Sequence, residues 1–144
     1  PQPVFPAGED VVLPGLVDRK AAPGAALAAA GIAGTLAEDC GPCTQIGVDM
    51  AAAGGVDPAV LRAILAGDEA AMGADAALAW RFARASLARD MAACDPLRDE
   101  IVRRWGEETM RDVWEHMVGG LFTSRYAKFD ASQYSWEESL PTTL

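Results

Sequence analysis

From residue 24 onward, the hydrophobic positions recur mainly at intervals of three and four residues, a spacing that predicts helices. The stretch after Gly24 is rich in alanine, which favours a first helix. Gly31 and Gly34 weaken that helix, but small residues also let a second helix approach closely. No convincing alternating strand is present, because the one candidate, "EDVVLPGLV", is interrupted by Pro14. The pattern therefore predicts an all-α class with five or six helices.

Glycine, proline and aspartate predict where the middle helices begin and end. The second helix should start at Cys40 to Cys43, carry an apolar face and end at a glycine pair. An aspartate is expected to cap each later helix. The apolar face of the second helix is predicted at Ile46, Met50 and Ala53, and its end at Gly54-Gly55. The next three helices are predicted to run from Asp57-Pro58 to Gly67, from Asp75 onward, and from Asp95-Pro96 to Gly106.

A long amphipathic helix is predicted near the end of the chain, in "EETMRDVWEHMVGGLFTSRYAKF". Gly119-Gly120 is expected to bend it. Its apolar positions between Trp114 and Phe122 are our candidate for a subunit interface, because five or six short alanine-rich helices make a thin core for one subunit. The predicted positions are Met110, Val113, Trp114, Met117, Val118, Leu121 and Phe122.

The chain divides into three parts by composition. Residues 1–23 hold five of the nine prolines and are expected to form an extended arm. Residues 24–129 form the predicted helical domain. Residues 130–144 show no periodicity and are expected to form an acidic, aromatic tail that is either loosely ordered or held against a partner by Tyr134 and Trp136.

Charge and composition exclude several classes of function. The 144 residues are 51% hydrophobic with a formal net charge of −9, so nucleic acid or an anionic membrane would repel the chain. The sequence contains no run of about 18 apolar residues, so we expect no transmembrane helix. No signal-peptide pattern is visible. Three cysteines are not the framework of a secreted disulfide scaffold, so we expect a reducing, cytoplasmic location.

The candidate chemistry lies in "LAEDCGPCTQIG", where Cys40 and Cys43 flank Gly-Pro. Such a pair can cycle between dithiol and disulfide, contribute half of a metal site, or be incidental. A helix N-terminus stabilises a thiolate, so one thiol can attack and the other resolve. Glu38 and Asp39 oppose thiolate formation, but a carboxylate beside a thiol can also accept its proton. Thr44 is a candidate hydrogen-bond partner for a sulfur.

A zinc site is the rival interpretation of the cysteines. A structural zinc usually needs four ligands, and Cys94 with His116, the only histidine, could complete a Cys₃His set. These two residues lie on separate predicted helices without ligand spacing of their own. Cys94 is more simply a small buried hydrophobe, and His116 a solvated or interface histidine. We therefore expect no metal and no organic cofactor.

The segment "EDCGPCTQIGVDMAAAGGVDPAVLRAIL" resembles the alkylhydroperoxidase-D-like, or carboxymuconolactone decarboxylase, superfamily over roughly residues 35–68. Cys-Gly-Pro-Cys also occurs in thioredoxins, but there it follows a strand, whereas the residues before Cys40 here are predicted to be helical. The resemblance implies an alkylhydroperoxidase-D-like helical bundle, disulfide chemistry at Cys40 and Cys43, and trimers or hexamers.

The resemblance does not extend to the proton relay of the family's redox members. Their glutamate and two histidines correspond here to Ala28, Pro42 and Gly47. In those members the second cysteine attacks and the first resolves, which would make Cys43 the attacking thiol. The thioredoxin analogy reverses the roles, so the sequence leaves the attacking cysteine open.

The sequence thus predicts a thiol-dependent oxidoreductase, with peroxidase activity among the functions implied, a small-molecule or peroxide substrate and an unidentified electron donor. One alternative is a decarboxylase or lactone-type enzyme of the same superfamily, with non-catalytic cysteines. Another is a non-catalytic oligomeric shell or interaction module whose tail binds a partner as an extended peptide. In each case we expect a homo-oligomer.

Overall fold

The structure, a computed structural model, describes residues 22–134 and the side chains of residues 22–127. This part of the chain folds into helices without strands, which confirms the all-α prediction. None of its helices is both long enough and apolar enough to cross a lipid bilayer. The strand candidate at Pro14 lies outside the described residues, as do nearly all of the predicted arm and the tail beyond residue 134. The helices are α1 (Gly24–Ala37), α2 (Gly41–Ala53), α3 (Pro58–Ala66), α4 (Ala74–Leu87) and α5 (Met91–Tyr134).

Helix α1 lies at the centre of the domain and packs against the other four helices. Most of its side chains are alanine, and it is hydrophobic on nearly every side, as expected of a helix buried all round. Ala26, Ala29, Ala30, Ile32 and Ala33 are almost completely inaccessible to solvent. These small side chains allow α4 and α5 to approach the α1 backbone, so an alanine-rich sequence still builds a continuous core.

The closest helix contact joins α1 to the second half of α5. A Cβ on Gly34 would overlap the carbonyl oxygen of Met117, and a Cβ on Gly120 would overlap that of Gly31. The backbones of α1 and α5 are therefore in contact at positions where each helix has a glycine. This crossing fixes the position of α5 over the end of α1, close to the predicted cysteine motif.

The break in α5 lies at Gly106 and not at Gly119-Gly120, where we expected a bend. Gly106 has φ +87° and ψ 169°, a conformation open essentially only to glycine, whereas the helix continues through residues 119 and 120. The helical stop predicted at Gly106 is thus confirmed, although a second helical segment follows it directly. We call residues 91–105 and 107–134 the first and second segments of α5.

Two predicted helix starts are wrong. Helix α4 begins at Ala74, because Gly73 with φ +83° turns the chain into it, and Asp75 lies inside the first turn. Helix α5 begins at Met91, because the Asp90 side chain accepts a hydrogen bond from Ala93 N at 3.1 Å. Asp95-Pro96 therefore lies within α5. By contrast, the α3 boundaries are confirmed: Asp57 Oδ1 accepts from Ala59 N at 2.7 Å, and Gly67 ends the helix with φ +67°.

The apolar face predicted for α2 points to solvent. Ile46 and Met50 are exposed, whereas Cys43 and Thr44 are buried. Gly47 faces Ile32 of α1, whose Cγ1 would lie 3.8 Å from an added Cβ. The cysteines, Thr44 and the small Gly47 thus occupy the side that packs on α1, which turns the larger hydrophobic residues outward.

Candidate functional site

The cysteine motif lies in the tight turn between α1 and α2. Only residues 38–40 separate the two helices, and Asp39 adopts φ +51°, a left-handed conformation that Asp tolerates better than most residues. Cys40 is the N-cap of α2, and its backbone N–H donates to Thr35 O at 3.4 Å. The predicted placement of the motif at a helix start is confirmed.

Cys40 and Cys43 are paired as a disulfide, with their Cα atoms 5.3 Å apart. Both residues are buried. Between them Pro42 occupies the first turn of α2, where its missing N–H has no intrahelical acceptor to lose. The first helical turn therefore brings the two sulfurs to the same side of α2, and the pair is stereochemically able to close.

Two buried threonines connect α1 to α2 beside the disulfide. Thr44 Oγ1 lies 3.0 Å from Thr35 Oγ1 and 3.0 Å from the carbonyl oxygen of Cys40. Thr35 donates in turn to Ile32 O at 2.9 Å. The contacts of Thr44 are thus oxygen atoms, and through them the residue fixes the Cys40 backbone. Thr35 was not predicted from the sequence, although it carries the lone side-chain hydroxyl of an alanine-rich helix.

Glu38 lies under the second segment of α5. Its Oε1 accepts from Arg125 Nη2 at 2.6 Å and from Arg125 Nε at 3.2 Å. The hydrogen bond and the charge of Glu38 raise the pKa of the Arg125 guanidinium above its usual value. Arg125 stands 87 positions from Glu38 in the sequence, so no local pattern could have connected it with the cysteines.

A groove of about 180 Å³ opens beside Cys40. Its walls are mostly apolar and include Leu36, Val48 and Leu65, while Asp39 borders it with a carboxylate. Cys40 lines this groove and Cys43 does not. Of the two sulfur-bearing residues, Cys40 is therefore the one placed to meet a molecule that enters.

A second hollow of about 510 Å³ lies next to this groove, since Leu36 and Leu65 line both. The far wall carries Trp80 and Arg84 of α4, with the Arg84 guanidinium carbon 5.8 Å from the centroid of the Trp80 ring. Arg81 lies in the same wall and forms an ion pair with Glu69 at 3.1 Å. Cys40 thus lines one of two adjacent hollows, and Arg81, Arg84 and Glu69 line the other.

The remaining candidates lie away from this site. Within residues 22–127, no three His, Cys, Asp or Glu side chains are arranged to hold a metal ion. Cys94 is buried, with its sulfur 3.4 Å from Ser86 Oγ, and His116 Nδ1 lies 2.8 Å from Asp112 O within α5. Cys94 and His116 therefore have separate partners of their own.

Comparison with protein-family models, with curated proteins and with solved structures finds no significant match. A closed Cys40–Cys43 disulfide at the N-terminus of α2, with one of its residues lining a groove, is suited to thiol–disulfide interchange. Asp39 is the carboxylate that borders the same groove.

Proposed function

We propose that this protein is a thiol-dependent oxidoreductase of the alkylhydroperoxidase-D-like type, which cycles Cys40 and Cys43 between dithiol and disulfide. The observation that carries the proposal is the closed disulfide in the first turn of α2, beside a groove lined by Cys40. The family assignment rests on the resemblance of residues 35–68. The three cysteines suit a reducing compartment such as the cytoplasm.

The groove favours Cys40 as the cysteine that reacts with the substrate. In the reduced protein the Cys40 thiolate attacks a peroxide oxygen; a sulfur–oxygen bond forms as the oxygen–oxygen bond breaks, and the product leaves as an alcohol after protonation. Cys43 then attacks the Cys40 sulfur, which releases water and closes the disulfide. An external thiol supplies the two electrons that restore the dithiol. These roles reverse the assignment that the family resemblance implied.

Proton transfer in this proposal falls to Asp39. The family's relay positions hold Ala28, Pro42 and Gly47, none of which can carry a proton. Glu38 is engaged by Arg125, whereas Asp39 borders the groove next to Cys40. Asp39 is thus the carboxylate best placed to accept the thiol proton and return it to the leaving oxygen.

The deciding experiment measures the reduction potential and thiol pKa values of the pair, by equilibration with glutathione redox buffers and alkylation across pH. Cys40→Ser and Cys43→Ser are the paired variants. We expect a reversible two-electron transition, lost in both variants, and one thiol pKa below the free value of about 8.5. Peroxide consumption with dithiothreitol as reductant then tests the activity. Two unreactive thiols that form no disulfide would overturn the proposal.

We also propose that the chain forms a homo-oligomer through the second segment of α5. Trp114, Phe122 and Tyr126 are large, solvent-exposed side chains on this segment, at intervals of four or eight residues. Residues four apart neighbour one another on a helix surface, so Phe122 and Tyr126 adjoin, and Trp114 lies about two turns before Phe122; we call these three side chains the stripe. The resemblance implies trimers or hexamers, and a second copy of the same helix would cover this stripe.

A further inference from the structure

The groove beside Cys40 has two chemically different ends. The end at Cys40 is bounded by apolar side chains, and Leu36 and Leu65 continue this apolar surface into the second hollow. The wall beyond them carries Arg81 and Arg84, together with Glu69, which pairs with Arg81. A molecule that reaches from the sulfur to this wall would therefore pass over hydrophobic surface and end against guanidinium groups.

The two arginines differ in their availability. Arg81 is paired with Glu69 at 3.1 Å, so its charge is already balanced. Arg84 has the Trp80 ring as its contact, and no ion pair joins it to a carboxylate in the described part of the chain. Glu69 lines the same hollow, but its carboxylate is paired with Arg81. Trp80 is buried, so its indole face provides a fixed support on which the guanidinium is held by cation–π attraction. In a chain with a net charge of −9, this groove thus keeps a cation open to an anion.

We propose that the substrate is an organic hydroperoxide carrying a carboxylate, with Arg84 binding the carboxylate while the hydroperoxide lies at Cys40. This inference rests on the proposed function and names its substrate class. The hydrocarbon body lies across Leu36 and Leu65. The second hollow, of about 510 Å³, lies within the range of about 300 to 1,000 Å³ that is usual for small-molecule sites, and the groove beside Cys40 adds about 180 Å³. Reduction follows the dithiol steps given above, with an external thiol as the electron donor.

The kinetic test compares linoleic acid hydroperoxide with its methyl ester, which differ only in the charge at the far end. With dithiothreitol as reductant, we expect the wild type to favour the acid by about tenfold in kcat/KM, the low end for a hydrogen bond to a charged group. Arg84→Gln should remove this preference, so that acid and ester have equal kcat/KM values. Arg62→Gln, an exposed arginine of α3 outside the groove walls, is the matched control and should keep it.

A binding measurement separates this inference from the proposed function. Linoleate, which has no peroxide bond, is titrated calorimetrically into the oxidised wild type, Arg84→Gln and Arg62→Gln. Binding that Arg84→Gln weakens at least tenfold supports the carboxylate site even if no peroxide is consumed, in which case only the proposed function fails. Peroxide turnover with equal kcat/KM values for the acid and the ester would overturn the carboxylate site, but it would support the proposed oxidoreductase function. Linoleate binding that Arg84→Gln leaves unchanged would also overturn it.

Discussion

Arg125 lies 2.6 Å from Glu38, the residue two positions before Cys40, and so ties the second segment of α5 to the turn that carries the cysteines. Glu38 is the more shielded partner, since the Arg125 side chain projects into solvent. The pair places a positive charge next to one of the two carboxylates, Glu38 and Asp39, that oppose a thiolate in this turn. Charge balance at the motif therefore depends on a helix far away in the sequence.

Arg125→Gln should raise the pKa of the reactive thiol, because it removes one contact that balances the negative charge of Glu38. Glu38→Gln should lower the thiol pKa for the converse reason. The measurement is the rate of alkylation of the reduced protein as a function of pH. Arg111→Gln, an exposed arginine of the same helix without an ion pair in the described part, is the control. Equal thiol pKa values in both variants and wild type would show that the ion pair has no electrostatic effect on the motif.

The glycine crossing of α1 and α5 should be intolerant of a single methyl group. Gly34→Ala and Gly120→Ala each place a Cβ on a backbone carbonyl oxygen, and overpacking of this kind costs about 1 to 3 kcal/mol. Gly119→Ala is the matched control, since no atom lies within 4 Å of its added Cβ. It should stabilise the helix by about 0.5 to 1 kcal/mol. Urea unfolding measures all three, and a stable Gly120→Ala variant would contradict the close approach.

Local chemistry explains which parts of the fold could be predicted from sequence. Asp57 followed by Pro58 supplies both a capping oxygen and a preset φ, so the start of α3 was predictable. The placement of Cys40 at a helix start followed in the same way from Pro42. At Asp95-Pro96 the same signal was wrong, because Asp90 offers an earlier cap and the resulting helix includes the proline.

Tertiary packing decided the features that the sequence could not indicate. Ile46 and Met50 have the spacing of a buried face, yet α2 buries its small and polar side, which matches the alanine surface of α1. Arg125 and Arg84 reach the site from helices far along the chain, and no local pattern marks them. The cysteines were predictable because their spacing carries the chemistry, whereas the groove beside them exists only after the helices pack.

Cys94 should not react while the protein is folded. It is 5% exposed, lies in the core and has its sulfur in contact with Ser86. After reduction of the disulfide, brief treatment with iodoacetamide should therefore label Cys40, which lines the groove, but not Cys94, as measured by peptide mass spectrometry. Denaturation before labelling should expose all three, which provides the control. Labelling of Cys94 in the folded protein would contradict the packing of α4 against the first segment of α5.

Glu100 should contribute to stability in a defined range of pH. Hydrogen bonds from Arg103 and Arg104 lower its pKa from 4.5 to about 2. Because the folded-state pKa is lowered, the contribution is present above pH 4.5 and is lost as the pH falls towards 2. Glu100→Gln should thus lower the Tm at neutral pH, with a difference from wild type that shrinks between about pH 4.5 and 2. Glu107→Gln, which removes an exposed carboxylate without an ion pair in the described part, should show no such pH-dependent difference from wild type.

The proposed oligomer makes Phe122 the most informative surface position. Its side chain is 67% exposed in the single chain and lies between Trp114 and Tyr126 on α5, so Phe122→Lys should place a charge in the interface and dissociate the assembly. Ile46→Lys on α2 is the matched control, since Ile46 is 60% exposed and also apolar. Light scattering after size-exclusion chromatography measures the molar mass of each. Dissociation by Ile46→Lys but not by Phe122→Lys would move the interface to the outward face of α2, where the cysteine-bearing helices of two subunits would meet.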